Sequence, residues 1–111
     1  MNDNYISMIN CILGTVNDIR QKEVKDITDI KLIVNEKMSK FMINNSQYKF
    51  EAKNDEVDKT LYVIGTLAGM QVIVNKSLMN DNYYVSIEYE TSMGDTVKVN
   101  THIENVLKDE A

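Results

Sequence analysis

The chain has 111 residues, a formal net charge of −5 and a single cysteine. That length predicts one domain, residues 1–111, with a modest hydrophobic core. The acidic charge argues against a protein that binds nucleic acid, because phosphate binding requires clustered Lys and Arg. One cysteine excludes an intrachain disulfide. The lack of a long uncharged apolar run leads us to expect neither export nor a membrane span.

The first part of the chain predicts a helix, a strand and a second helix. Residues 4–22 place apolar side chains three and four positions apart, which is the spacing of one helix face. Residues 30–34 are rich in β-branched side chains and predict a short buried strand. Asn35 follows as the N-cap of a short helix over residues 36–44. Gly14 marks either close packing of the first helix against a neighbour or a weak point in it.

The middle of the chain predicts a hairpin. Residues 61–67 carry apolar side chains on both sides of the alternation, which indicates a central strand. A turn at Ala68-Gly69 leads into an antiparallel strand over residues 70–74, and a turn of this kind needs a positive φ at Gly69. Gly65 and Gly69 therefore serve backbone geometry and not phosphate binding, because their segment does not open a helix.

Shorter segments flank this hairpin. Tyr48 and Phe50 predict a brief edge strand before it. Leu78 and Met79 are expected to anchor the polar loop over residues 75–82 that follows it.

The last part of the chain predicts two strands and a helix. Residues 83–90 alternate between one buried and one wet face, and residues 96–99 form the next strand. Thr101 and Glu104 match a capping box that would begin a C-terminal helix. The predicted fold class is α+β: a mainly antiparallel sheet of four or five strands with an N-terminal helix, a short central helix and a C-terminal helix.

No residue pattern predicts catalysis or a cofactor. His102, the only histidine, has no Cys or second His at ligand spacing, and we expect it at the surface. Cys11 has no identifiable base and is expected to be a buried structural thiol. Asp55, Glu56 and Asp58 lack the spacing of a calcium loop and predict a solvated loop. We therefore expect no catalytic residue, no metal site, no cofactor and no enzyme activity.

Four tyrosines indicate a protein-binding surface. Tyr62, Tyr83, Tyr84 and Tyr89 lie on or beside the predicted strands and could form one aromatic patch. On an acidic protein, such a patch favours a protein partner over stacked nucleic-acid bases.

Three segments follow one another in an order that is typical of a known family. Residues 31–38 read Lys-Leu-Ile-Val-Asn-Glu-Lys-Met, residues 65–69 read Gly-Thr-Leu-Ala-Gly, and residues 82–89 read Asn-Tyr-Tyr-Val-Ser-Ile-Glu-Tyr. This order resembles the axial-domain region of tailed-phage major capsid (head) proteins. The resemblance covers about residues 5–90, and its only sharp part is Gly-Thr-Leu-x-Gly with the strand that follows it, Val-Ile-Val-Asn at residues 72–75. The family's Ser-Pro and Asp-Pro-Tyr motifs are replaced here by other residues.

The resemblance implies a structural role, in a virion or in the host cytoplasm. Its partners would be copies of itself or other capsid subunits, met through loops at residues 51–59 and 75–82, with no nucleic acid and no membrane. The candidate interface residues are Asp55, Glu56, Asp58, Tyr62, Lys76, Asn80, Asp81 and Tyr84. The chain is much shorter than a capsid subunit, so it would be a fragment or a small protein that shares this subdomain. The alternative is a small cytosolic module, phage-encoded or bacterial, that binds a host protein as an inhibitor or adaptor.

Overall fold

The computed structural model describes residues 3–45, 50, 59–101 and 103–107. Within these ranges the chain forms eight elements. In chain order they are α1 (Asp3–Lys22), β1 (Ile27–Val34), α2 (Glu36–Asn45), β2 (Leu61–Leu67), β3 (Met70–Asn75), β4 (Val85–Thr91), β5 (Thr96–Asn100) and α3 (Ile103–Val106).

The five strands form one mixed sheet in the order β2-β3-β1-β4-β5. β1 runs parallel to β3, and the other three neighbouring pairs are antiparallel. The predicted α+β class, the mainly antiparallel sheet, the N-terminal helix and the short central helix are confirmed. The predicted C-terminal helix is a single turn, α3, in the part of the chain that the structure describes.

The hydrophobic core lies on one face of the sheet, under the helices. The apolar stripe of α1 is buried there, which explains why this sequence forms a helix at this place. Its members are Tyr5, Met8, Ile12, Val16 and Ile19. They belong to the same cluster as Leu32 and Val34 of β1, Val72 and Val74 of β3, and Val85 and Ile87 of β4. Each fully buried side chain of this kind contributes roughly 1.5–3 kcal/mol to folding.

The opposite face of the sheet is not covered by any described helix, and we call it the uncovered face. Ile33, Val63 and Ile73 lie in register on this face. None of the three belongs to the core cluster on the helix side. The two faces of the sheet therefore differ: the helices bury the side chains on one face, whereas Val63 and Ile73 on the other face are only half-buried.

The prediction that residues 61–67 form a central strand is wrong. Among the described residues, β2 pairs only with β3 and stands at one edge of the five-stranded sheet. Its two apolar sides have separate causes: Ile64 and Leu67 are buried with the core, whereas Val63 belongs to the uncovered face. A bulge between Val63 and Gly65 interrupts the pairing, and irregularities of this kind protect edge strands from unwanted pairing.

The predicted hairpin turn is confirmed. Ala68 has φ 50° and Gly69 has φ 81°, which are the two positive values of a tight turn between antiparallel strands. Gly14 lies in α1 with no atom within 4 Å of the position that a Cβ would take, so it does not mark close packing. The strand predicted at Tyr48 and Phe50 lies mostly outside the described residues. Phe50 itself is buried, but it belongs to no helix or strand.

Candidate functional site

The side chain of Asn35 makes four hydrogen bonds to described residues at the end of the sheet where β1 and β3 finish. It is fully buried, at 0% exposure. Its Oδ1 accepts hydrogen bonds from the backbone N–H of Met38 at 2.9 Å and of Tyr84 at 3.3 Å. Its Nδ2 donates to the carbonyl oxygens of Met79 at 2.9 Å and Asn82 at 2.7 Å. The predicted N-cap is confirmed, and the same side chain also holds the following loop.

That loop, residues 76–84 between β3 and β4, is called the β3–β4 loop below. The loop also contacts α2 directly, because the Oδ1 of Asn80 accepts a hydrogen bond from the backbone N–H of Lys37 at 3.0 Å. The ammonium of Lys37 donates to the carbonyl oxygen of Asp81 at 3.4 Å and lies 4.7 Å from the ring centre of Tyr83. The first turn of α2 and the loop therefore hold each other in place.

The start of the loop is fixed as well. The Oδ1 of Asn75 accepts hydrogen bonds from the backbone N–H of Ser77 at 3.0 Å and from its hydroxyl at 2.6 Å. The backbone N–H of Lys76 donates to the carbonyl oxygen of Thr60 at 2.8 Å. These local bonds give the polar sequence a defined turn.

Met79 lies in the β3–β4 loop but does not anchor it with its side chain. The sequence predicts that Leu78 and Met79 anchor the loop with buried side chains. Leu78 is half-buried, but the side chain of Met79 is 76% exposed, so that part of the prediction is wrong. The anchor is the amide of Asn35, which holds the carbonyl of Met79 and leaves its thioether in solvent. The loop thus presents an apolar side chain on a fixed backbone.

The described candidate interface residues lie at this same end of the sheet. Lys76, Asn80 and Asp81 belong to the β3–β4 loop, and the ammonium of Lys76 lies 5.4 Å from the ring centre of Tyr62. Tyr84 precedes β4 and donates its hydroxyl hydrogen to the Oδ1 of Asn100 at 3.2 Å. The other three candidates, Asp55, Glu56 and Asp58, lie outside the described residues.

The predicted aromatic patch does not exist, because the tyrosines are distributed over different surroundings. Tyr62 pairs with Val74 and packs against the core. Tyr89 is buried in the core, and the ring of Tyr83 meets that of Phe41 at 5.5 Å between centres. Among the four, Tyr84 alone lies toward the uncovered face, next to Asn100.

Two of these tyrosines have perturbed acidity. Burial is the main cause that raises the pKa of Tyr89, and its hydrogen bond to a carboxylate oxygen of Glu23 at 2.9 Å raises it further. Burial also raises the pKa of Tyr62, with a smaller contribution from the charge of Glu36. Since both phenols are held protonated by their surroundings, neither is arranged to act as a base.

The uncovered face carries a cross-strand row of matched positions. Val63 pairs with Ile73, Ile73 with Ile33, and Ile33 with Ser86. Ile33 is buried to 8% exposure, whereas Val63 and Ile73 are half-buried. Leu61, two residues before Val63 on the same side of β2, is 55% exposed. We call Leu61, Val63, Ile73 and Ile33 the apolar patch.

Polar side chains border the apolar patch. The ammonium of Lys31 lies 4.0 Å from a carboxylate oxygen of Glu88, with 27% and 30% of the two side chains exposed. The hydroxyl of Ser86 is buried without a hydrogen-bond partner among the described residues. The face therefore combines apolar area, both signs of charge and one unsatisfied hydroxyl.

The far end of the sheet is held by a second set of contacts. The ammonium of Lys25 lies 2.6 Å from a carboxylate oxygen of Asp95, and this hydrogen bond is the main cause that raises the pKa of Lys25. The backbone N–H of Ser92 donates to the carbonyl oxygen of Asp26 at 2.7 Å. Both bonds join the loop after α1 to the turn between β4 and β5.

The residues singled out for chemistry are not brought together. Cys11 is half-buried in α1, and His102 lies outside the described residues. In the part of the chain that the structure describes, no three His, Cys, Asp or Glu residues lie close enough to hold a metal ion. No helix there is both long enough and apolar enough to cross a membrane.

Two shallow depressions flank the β3–β4 loop. One, of about 510 Å³, is lined by Leu78, Met79, Tyr83 and Tyr84 together with neighbouring polar residues. The other, of about 470 Å³, lies between the loop and α2 and includes Lys37, Lys40 and Phe41. Both are open surface features.

Comparison with known proteins gives no relative. No protein-family model matches the chain, no curated protein matches its sequence, and no solved structure matches its fold. Its function must therefore be inferred from the residues and the geometry of the two surfaces above.

Proposed function

We propose that this protein is a non-enzymatic assembly protein that binds copies of itself, as a subdomain of a phage capsid protein does. The observation that supports this most is the uncovered face of the sheet. A packed helix layer protects one face, while the other carries in-register Val63, Ile73 and Ile33 outside the core. Apolar residues matched across strands, of which Val63 and Ile73 are only half-buried, are typical of an interface.

The size of the uncovered face determines how strongly two copies are expected to associate through it. Strand spacing and strand length make it about 20 by 20 Å, or ~400 Å² of flat area. Stable interfaces bury roughly 800 Å² on each partner. A contact through this face alone is therefore weak and reversible, and strong assembly would need further contacts from neighbouring subunits. This is the behaviour expected of one subdomain in a larger shell.

The charges on the face favour this partner as well. Lys31 and Glu88 carry opposite charges, and Lys98 adds a second cation on the same side of the sheet. A face with both signs of charge does not repel a second copy of the chain, whereas a strongly charged partner would meet repulsion from one sign or the other. A location in a virion or the host cytoplasm follows from this role.

Sedimentation velocity over a wide concentration range tests the proposal. We expect a monomer at low concentration and a reversible, salt-tolerant increase in mass at the highest concentrations, because apolar contact drives it. A protein that remains monomeric throughout, or one that forms a tight dimer already at nanomolar concentration, would contradict it.

A second function is supported by the depression of about 510 Å³ beside Met79 and Tyr84. Met and Tyr are side chains that protein interfaces favour. A small module that binds a different protein through this depression, as an inhibitor or adaptor, is the second candidate. A monomeric chain in sedimentation experiments, together with saturable binding of one purified host protein that Tyr84→Ala abolishes, would favour it over assembly.

A further inference from the structure

We propose that the copies associate head to tail: the exposed side chain of Met79 on one copy binds the apolar patch on the next. This inference rests on the proposed assembly function and names the two surfaces that meet. One surface projects from the β3–β4 loop, and the other lies on the uncovered face. Among the described residues, neither surface is part of the core cluster under the helices.

The projecting surface is prepared for binding before a partner arrives. The carbonyl of Met79 is held at 2.9 Å by the buried amide of Asn35, although its side chain is 76% exposed. The neighbouring Asn80 is fixed by its bond to the backbone of Lys37. A side chain on a fixed backbone loses less conformational entropy on binding than one on a mobile loop. The unbranched thioether also adapts to an uneven apolar surface.

The receiving surface has the matching chemistry. Leu61 is 55% exposed, and Val63 and Ile73 beside it are half-buried, so a methionine side chain can contact all three. Ile33 lies beside Ile73 on the neighbouring strand and is 8% exposed. Contact with Met79 removes apolar area from water on both copies at once.

Charges beside the two surfaces are complementary. Asp81, two residues after Met79, is exposed next to the projecting side chain. Lys31 borders the apolar patch on the receiving copy, with 27% of its side chain exposed, and its ammonium also lies 4.0 Å from a carboxylate oxygen of Glu88 on the same copy. When Met79 lies on the patch, an acidic group of one copy meets a basic group of the next. This arrangement contributes to orientation more than to strength.

The symmetry of such a contact differs from that of an ordinary dimer. The two surfaces consist of different residues, so each copy keeps one unused projection or one unused patch after pairing. Contacts of this type continue to a third copy and produce closed rings or open chains. A two-fold dimer would instead use the same surface on both copies.

The experiment uses two variants that each lose one surface. Met79→Lys removes the projection, and Ile73→Lys places a charge in the patch. Each variant alone should self-associate roughly tenfold more weakly than the wild type, measured by sedimentation velocity. An equimolar mixture should form a 1:1 dimer and nothing larger, because one intact projection and one intact patch remain. The wild type should continue to larger species.

Matched controls separate this effect from misfolding. Met93→Lys adds the same charge at a methionine that is 72% exposed in the far turn, and should leave association unchanged. Leu61→Lys changes the patch at an exposed position, and provides a second test if Ile73→Lys fails to fold. Circular dichroism and thermal melting verify the fold of every variant.

Several outcomes would overturn the inference. If Ile73→Lys and Leu61→Lys prevent association while Met79→Lys does not, the copies pair face to face. If a mixture of the two variants stays monomeric although the wild type associates, the head-to-tail contact is wrong but assembly stands. If the wild type itself never associates, the proposed assembly function fails together with this inference.

Discussion

The side-chain oxygen of Asn35 accepts a hydrogen bond from the backbone N–H of Tyr84, which lies 49 residues further along the chain, at 3.3 Å. The same oxygen accepts the N–H of Met38, at 2.9 Å. One buried amide therefore caps α2 and fixes the residue before β4. The amide nitrogen of the same side chain, Nδ2, donates to the carbonyl oxygens of Met79 and Asn82 in the β3–β4 loop.

Replacing Asn35 with Ala should destabilise the protein by about 2–4 kcal/mol. Loss of the cap accounts for about 1 kcal/mol. The remainder comes from buried backbone groups of the β3–β4 loop that lose their partner. Urea unfolding measures the change. Asn80→Ala, which removes one bond at an exposed residue, serves as the control and should cost less than about 1 kcal/mol.

Asn35→Asp separates the two roles of this amide. The carboxylate retains an oxygen that can accept from Met38 and Tyr84, so it can still cap α2. It cannot donate to Met79 and Asn82, and it places a negative charge against their carbonyls. We expect a loss comparable to that of Asn35→Ala at neutral pH, with increased hydrogen exchange in the β3–β4 loop. A wild-type exchange pattern would show that the cap alone matters.

The cap was predictable from sequence and the loop contact was not. An Asn directly before a helical pattern is a local signal, and the bond to Met38 spans three residues. The bonds to Met79 and Asn82 span 44 and 47 residues, so no local pattern encodes them. The exposure of Met79 could not be predicted for the same reason, since an apolar residue in a polar loop is normally its anchor.

The position of β2 shows a different limit. The alternation of residues 61–67 correctly indicated apolar groups on both sides. Two structures produce that pattern: a central strand, and an edge strand with a second apolar surface. Only the pairing order, in which β3 lies between β2 and β1, separates them. α1 and the hairpin turn were predictable because their signals lie within one element.

Gly69→Val should destabilise the hairpin by roughly 1–3 kcal/mol. Gly69 has φ 81°, where a side chain is strained, yet no atom lies within 4 Å of the position that its Cβ would take, so the cost comes from the backbone. Thermal or urea unfolding gives the value. Ala68→Gly is the opposite test: Ala68 already has φ 50°, so glycine should be neutral or slightly stabilising there. An unchanged midpoint for Gly69→Val would show that the turn lies elsewhere.

Tyr89 should make stability fall at alkaline pH. Its folded-state pKa is raised above the ordinary value of 10.0, mainly by burial and then by the bond to Glu23. The contribution of the protonated phenol is therefore fully present below about pH 10. It is lost as the pH rises through the folded-state pKa, because the unfolded chain releases the proton first. Urea unfolding from about pH 8 to 11 measures this slope.

Tyr89→Phe should flatten the alkaline slope and lower stability at about pH 8, where the bond to Glu23 is lost. Tyr62→Phe should flatten it as well, because burial also raises the pKa of Tyr62. The double variant should show the smallest slope of the four proteins. An equal slope in wild type and double variant would mean that the deprotonation of other groups, such as lysine side chains, controls alkaline unfolding.

Core truncation should be far more costly than removal of the thiol. Ile87 is 0% exposed and Leu67 is 2% exposed, so Ile87→Ala and Leu67→Ala should each cost about 2–5 kcal/mol through lost burial and a residual cavity. Cys11→Ala should cost about 1 kcal/mol, because Cys11 is only half-buried on α1. Denaturation midpoints rank the three variants. If Cys11→Ala leaves the fold intact but abolishes self-association, this thiol belongs to an interface, and the contact between copies must be placed on α1 rather than on the apolar patch.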